Sequence, residues 1–288
     1  MESFHALMGG SRQGVHAAKV RFLQKSRREA QVLELVRNWR MHHPGMGSRT
    51  MYYSLKAAGM DLPIGVSAFE QLLSRNGLTI GRSKRFIPKT SDGKGAKKFP
   101  NLTNNLVLDN VGQLIVGDIT FFWLVDRWSY LFILKEVYSQ RLLSLYPSDN
   151  MKKETALRAL EQAVALNRHI NWEGCIHHSD NGSQYDSALY LSALSKLKMK
   201  VSRAKSCREN GSGEQINHII KNMYLKAMQP QNINQLKSYC KRVVHLMNNE
   251  RAVEQLGYMT VIQFEEKLSK MAPEIRIKKT LHNFENST

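Results

Sequence analysis

Apolar and polar positions change their rhythm along the chain. Over the first 80 residues the apolar positions recur at helical spacing. Val32, Leu33, Leu35 and Val36 fall within a helical stretch that must stop before Pro44, whose ring and missing N–H break helical backbone. Two further short helices are expected. One runs from about Ser48 to Ala58 with Ser48 as its cap, and the next from about Ser67 to Arg75, capped by Ser67 and closed by Asn76-Gly77. Helix, turn and second helix make a helix-turn-helix candidate, in which the early residues of the second helix, Ser67, Ala68, Glu70 and Gln71, would meet base edges in a major groove. A plain helical bundle would carry the same pattern.

From Gln113 the period shortens to that of strands. Leu114 to Val125 is almost wholly apolar, Tyr130 to Leu134 is a second run and Leu142 to Tyr146 a third. A helix over Lys153–Leu166, a strand near Cys175–His177, a helix near Ser187–Lys196, a strand near Lys200–Ser202 and a long helix from about Ser212 follow. The order βββαβαβα predicts an α/β, ribonuclease-H-like mixed sheet with helices on its faces. Four parts are expected: a helical, helix-turn-helix-like region over 1–80, a linker over 81–104, the ribonuclease-H-like core over 105–230, and a helical C-terminal extension over 231–288.

Charge sharpens this picture. The chain carries 42 Lys and Arg against 24 Asp and Glu, a formal +18. Residues 1–100 hold 18 of the bases and 6 of the acids, so 18 − 6 = +12 of the excess sits ahead of the expected sheet. That points to a polyanionic partner, DNA above all, with a membrane surface or a generic basic protein as the bland alternatives. Residues 81–100 alone contain seven Lys and Arg, among them Lys84 and Arg85, and are too polar and turn-rich to be buried. They suit either phosphate contacts or a solvated spacer.

Other classes recede. No apolar run approaches the ~18 residues that would span a bilayer, and Met1 to Gly10 lacks the signature of a secretory signal, so a cytoplasmic protein without a membrane partner is expected. Cys175, Cys207 and Cys240 stand far apart, and His42-His43 has no cysteine near it, which leaves neither a disulfide framework nor a structural zinc site.

Three carboxylates invite chemistry, and each has a plain explanation as well. Asp118 lies inside Leu114-Ile115-Val116-Gly117-Asp118-Ile119-Thr120-Phe121-Phe122-Trp123, where an ionised group needs a metal, a cationic partner or an exposed strand face. Asp180 follows a short strand in His177-His178-Ser179-Asp180-Asn181-Gly182, as a displayed functional group or an Asx-turn. The two histidines read as structural or DNA-contacting rather than as ligands. Glu214 begins the last long helix after Asn210-Gly211-Ser212-Gly213 and shares a helical face with Asn217, His218 and Lys221, or is simply a capping acid.

These segments together resemble the acidic triad of retroviral-integrase-like transposases, in particular the second-frame catalytic protein of the insertion-sequence-three family. Met247-Asn248-Asn249-Glu250-Arg251 with Leu256-Gly257-Tyr258-Met259-Thr260 resembles that family's C-terminal signature, and Ser11-Arg12-Gln13 its N-terminal start. Departures are visible. Between Asp180 and Glu214 lie 33 residues, two short of the family spacing, with Glu209 as the nearby rival, and Ala252-Val253 stands where Pro-His is usual.

The resemblance implies an integrase catalytic core in which Asp118, Asp180 and Glu214 hold two Mg²⁺ or Mn²⁺ ions, metals that oxygen-only ligation also favours over zinc. It implies metal-dependent cleavage of DNA and transfer of the freed strand. Asn217 and Lys221 join Ser67, Gln71, Lys84 and Arg85 as expected DNA contacts, the protein is expected to work as a homo-oligomer on DNA, and a first-frame product is a possible partner or fusion. The competing readings are a ribonuclease-H-like nuclease that cuts without joining, and a non-catalytic DNA-binding regulator or decayed transposase.

Overall fold

The computed structural model describes residues 11–81, 99–180, 182–204 and 211–281, with backbone alone over 211–214. Lys84, Arg85, Cys207, Glu209 and the side chain of Glu214 therefore lie outside the described residues. The chain divides into two compact units, residues 1–81 and 82–288.

In the first unit the helical stretch expected before Pro44 is one long helix, α1 (Arg12–His42, 31 residues). Between Ser11 and His43 no proline intervenes, and the one glycine, Gly14, lies in the first turn, where the Ser11 hydroxyl accepts its N–H at 3.1 Å. Only the C-terminal part of α1 buries side chains, Val32 and Val36. Helices α2 (Ser48–Ala57) and α3 (Val66–Arg75) follow. Gly47 and Gly65, not Ser48 and Ser67, occupy the cap positions, and both serines lie inside their helices. The caps are extended glycine backbone with no side-chain hydrogen bond, one residue ahead of Ser48 and two ahead of Ser67. At the far end Asn76 and Gly77 close α3 as expected. The Gly77 φ of 66° lets Leu78 N–H reach back to the Leu73 carbonyl at 2.9 Å. Arg40 then pins the unit together, donating to the carbonyls of Pro44 (3.1 Å), Met46 (2.6 Å) and Leu78 (2.9 Å).

The second unit is built on a mixed five-stranded sheet. After the short β1 (Val107–Leu108) come β2 (Leu114–Leu124), β3 (Arg127–Glu136) and β4 (Leu142–Ser148), an antiparallel meander. Then follow α4 (Lys153–Leu166), β5 (Ile176–Ser179), α5 (Ala188–Lys196) and β6 (Lys200–Arg203), giving the spatial order β4-β3-β2-β5-β6 with β5 and β6 parallel to β2. This is the ribonuclease-H-like architecture the sequence predicts. Alternation along β3 sorts its residues onto two faces. Phe132 and Leu134 pack with Leu160 and Ala163 of α4 and Tyr190 of α5. Leu131 and Ile133 pack on the opposite face with the C-terminal helices.

Those helices begin with α6 (Gly211–His218), which continues without a break as a π-helix over Ile219–Leu225 and a last helical turn at Lys226–Met228. Helix α7 (Ile233–Asn249) lays Leu236, Cys240 and Val243 onto the sheet beside Ile220 and Tyr224. Its Asn248 takes the place of a strand neighbour for β4, exchanging two 2.9 Å hydrogen bonds with the backbone of Leu142. Helix α8 (Val261–Ser269) is fastened by a reciprocal capping box between Thr260 and Gln263. Ala252 and Val253, the departures from the Pro-His pattern, are both buried in this packing. A short β7 (Lys279–Thr280) pairs with β1. No described helix is long and apolar enough to cross a membrane.

Candidate active site

Two parallel strands bring the first two carboxylates together. Gly117 of β2 stands opposite Ser179, the last residue of β5, so Asp118 and Asp180 each follow a member of that pair, on strands that lie about 5 Å apart in any sheet. The sheet is close at Gly117, for a Cβ there would stand 3.1 and 3.2 Å from the His177 ring. A larger residue would push apart the strands that carry the pair.

Asp118 points to the sheet face covered by α6 and its π-helical continuation. There the Asn217 amide donates to Asp118 Oδ2, and Lys221 Nζ donates to Thr120 Oγ1 at 2.7 Å and to the Phe121 carbonyl at 3.3 Å. Burial pushes the Asp118 carboxyl up to about 6, with the Asp180 charge adding to the rise and Asn217 and Lys221 opposing it. Asp180 is raised too, again by burial, against the pull of the Gly182 N–H and of Arg203. Its Oδ1 accepts that N–H at 3.1 Å, so the Asx-turn is present alongside the pairing with Asp118. Among the described residues neither carboxylate forms an ion pair, and the buried carbonyl oxygen of the half-buried Asn217 has no hydrogen-bond partner.

Glu214 belongs to α6 one turn ahead of Asn217, the residue that reaches Asp118. The face that sequence spacing assigns to Glu214, Asn217, His218 and Lys221 is not kept whole. His218 is exposed and meets Asn222 at 2.9 Å, with the helix taking its π-form immediately after it. Asn217 and Lys221 are thus brought to the carboxylate pair and His218 is not.

Behind Asp180 lies a support that the sequence reading missed. Arg203, at the end of β6 and only 2% exposed, donates to Asp186 Oδ1 at 2.9 Å and to the Tyr185 carbonyl at 2.8 Å, holding the loop that Asp180 begins. An arginine at a strand end is the only trace of this in the sequence. His177 and His178 are fully buried and structural. His177 Nε2 meets the Tyr190 hydroxyl at 2.8 Å and His178 Nδ1 the Ser202 hydroxyl at 2.9 Å, and burial drives their pKa values down to about 3 and about 4.

In the N-terminal unit Ser67, Ala68 and Gln71 are exposed on α3, as base readers would be. Glu70 is instead committed to Arg49 of α2 through two hydrogen bonds of 3.0 and 3.1 Å.

The integrase core domain profile matches residues 109–208, the stretch from β2 through β6 that carries Asp118 and Asp180. The 31 kDa protein of insertion element IS600 from Shigella sonnei is 26% identical over 260 residues, covering 82% of this chain and 95% of its own. The putative transposase of insertion sequence IS986/IS6110 from Mycobacterium tuberculosis is 24% identical over 228 residues, covering 76% of this chain and 81% of its own. Transposase InsF of insertion sequence IS3A from Escherichia coli is 28% identical over 178 residues, 61% of this chain and 60% of its own.

Proposed function

We infer that this chain, an insertion-sequence-three family transposase with an integrase catalytic core, cuts and joins DNA strands at a site formed by Asp118, Asp180 and Glu214. The observation that carries the reading is the register of β2 against β5, which sets two raised, unpaired carboxylates side by side. Such a pair is costly to ionise without a cation. The donor set is all oxygen, and the unpartnered Asn217 oxygen adds another acceptor at the same spot, which suits Mg²⁺ or Mn²⁺. Two such ions, held by Asp118, Asp180 and Glu214, would supply Lewis-acid polarisation of the phosphodiester and a more acidic nucleophile.

The residues around them have separable tasks. Asn217 fixes the Asp118 carboxylate in one orientation, and Lys221, anchored on Thr120, keeps an ammonium group beside the site for a DNA phosphate. Arg203 steadies the Asp180 loop. Water attacks the phosphodiester first, breaking the bond to the 3′-oxygen and leaving a 3′-hydroxyl. That hydroxyl then attacks a target phosphodiester, forming one P–O bond as another breaks. No side chain is acylated or phosphorylated. Ser67, Gln71, Lys84 and Arg85 contribute DNA contacts ahead of the core. The protein works on DNA as a homo-oligomer, and a first-frame product, as partner or fusion, adds recognition of the element's ends.

The test is a strand-transfer assay on labelled element ends with Mg²⁺. Asp118→Asn, Asp180→Asn and Glu214→Gln should each abolish cleavage and joining while DNA binding survives. Cleavage without joining would favour the nuclease reading, and no metal-dependent cleavage would favour the non-catalytic regulator.

A further inference from the structure

Among the described residues, the N-terminal part of α1 buries no side chain. Every residue from Ser11 to Arg28 is exposed, and between Arg12 and Arg28 the helix carries Arg12, Lys19, Arg21, Lys25, Arg27 and Arg28 with no acid. Three of these cations, Arg21, Lys25 and Arg28, recur at i, i+4, i+7 and so form one stripe. That stripe is one wall of a cleft of about 400 Å³, whose other wall is the Gln71 and Arg75 side of α3. One acid stands between the walls. Glu29 Oε1 lies 3.0 Å from Arg75 Nη2 and 3.9 Å from Lys25 Nζ, so it spaces the cations while leaving a surplus of positive charge.

We propose that this cleft between α1 and α3 seats the phosphodiester backbone of duplex DNA, so that the unit grips DNA with two helices and not with α3 alone. The proposal takes its ligand class from the transposase reading. Charge complementarity selects the occupant. Four cations against one carboxylate reject a basic surface, and a second copy of α1 would bring the same unbalanced cations against these. Guanidinium groups on facing walls suit phosphate oxygens, which accept paired N–H donors. Gln71 is then a backbone contact, reading no sequence, and base recognition by α3 falls to residues nearer its start.

Glu29 has a definite part in this arrangement. Unbound, it holds Arg75 across the cleft. In the complex its charge opposes the phosphates, so it sets an upper limit on sequence-independent affinity.

The experiment compares two triple variants of the full chain that lose the same charge. R21Q/K25Q/R28Q strips the cleft, and R12Q/K19Q/R27Q strips the other faces of the same helix. Binding to a short duplex of arbitrary sequence is measured in chelator, so that no strand is cut, across a range of salt. The cleft variant should bind roughly tenfold or more weakly and lose about one unit of log–log salt slope for each phosphate contact removed. The second variant should retain most of the affinity and slope. Glu29→Gln should bind more tightly than the unaltered chain.

Equal weakening by both triples, with Glu29→Gln unchanged, would overturn the cleft assignment and leave a diffuse basic surface. So would a cleft variant that keeps its duplex affinity but loses binding to polyglutamate or loses self-association, which would assign the cleft to an acidic protein or to a second copy. An unaltered chain that binds no duplex at any salt would instead sink the transposase reading itself.

Discussion

Replacing Asp118 by Asn should make the metal-free protein more stable while destroying its chemistry. The Asp118 carboxyl is raised from 3.8 to about 6, chiefly by burial, so the folded chain holds its proton more tightly than the unfolded chain does. The sign follows from linkage. Below the unfolded value both states are protonated and the residue costs nothing. As pH rises the unfolded state gives up its proton first, and above about 6 the full penalty is present. It amounts to ~1.5 kcal/mol at pH 5 and ~3 kcal/mol at pH 8. An amide removes the charge yet still offers an oxygen to the Asn217 amide, so the hydrogen bond survives and the penalty does not. Urea denaturation in chelator at the two pH values reads the difference directly. Asp118→Asn should exceed the unaltered protein by an amount that grows with pH. Adding Mg²⁺ should then reverse the ranking, because a ligand at a hundred times its dissociation constant stabilises the unaltered chain by ~2.7 kcal/mol and the variant by little. If Asp118→Asn is no more stable than the unaltered protein at pH 8 in chelator, Asp118 is not a strained carboxylate, and the physical case for a metal there is lost.

Other outcomes follow from particular contacts. Among Asp118→Asn, Asp180→Asn and Glu214→Gln, any double variant should be little worse than a single one in strand-transfer assays, because groups acting as a unit are not additive. Glu209→Gln should stay active, and a dead Glu209→Gln with a live Glu214→Gln would move the third ligand. Arg203→Met leaves Asp186 without its cation and should lower stability by ~3–5 kcal/mol in denaturant titrations; an unchanged midpoint would show the pair to be dispensable. Gly117→Ala presses a methyl against the His177 ring and should cost ~1–3 kcal/mol and slow strand transfer, whereas normal rates would mean that the strands adjust freely. His177 and His178 stay uncharged in the fold down to about pH 3 and 4. Stability from them is complete above pH 6.5 and falls as pH drops below it, so His178→Asn should flatten the acid side of the stability profile.

The apolar runs over Leu114–Val125, Tyr130–Leu134 and Leu142–Tyr146, and the helix expected over Lys153–Leu166, made the core architecture legible in the sequence, because a buried strand or helix marks itself by residues that are neighbours along the chain. Asp118 announced itself in the same way, as a charge inside an apolar run. Charge also placed the basic excess in residues 1–100. What no local pattern contains is register. That Gly117 stands opposite Ser179, and so Asp118 beside Asp180, depends on two strands separated by two further strands and a helix in the chain. Arg203 supports Asp180 only because β6 lies next to β5. Helical arithmetic puts Asn217, His218 and Lys221 on one face, and only the packing of that helix, with Ile220 and Tyr224 buried, shows that Asn217 and Lys221 meet β2 while His218 is left in solvent. Likewise the cations of α1 are a charge count in the sequence, and only the placement of α3 beside them makes three of them one wall of a cleft. Elements follow from neighbours along the chain, whereas sites follow from neighbours across it, and those contacts exist only once the fold has closed.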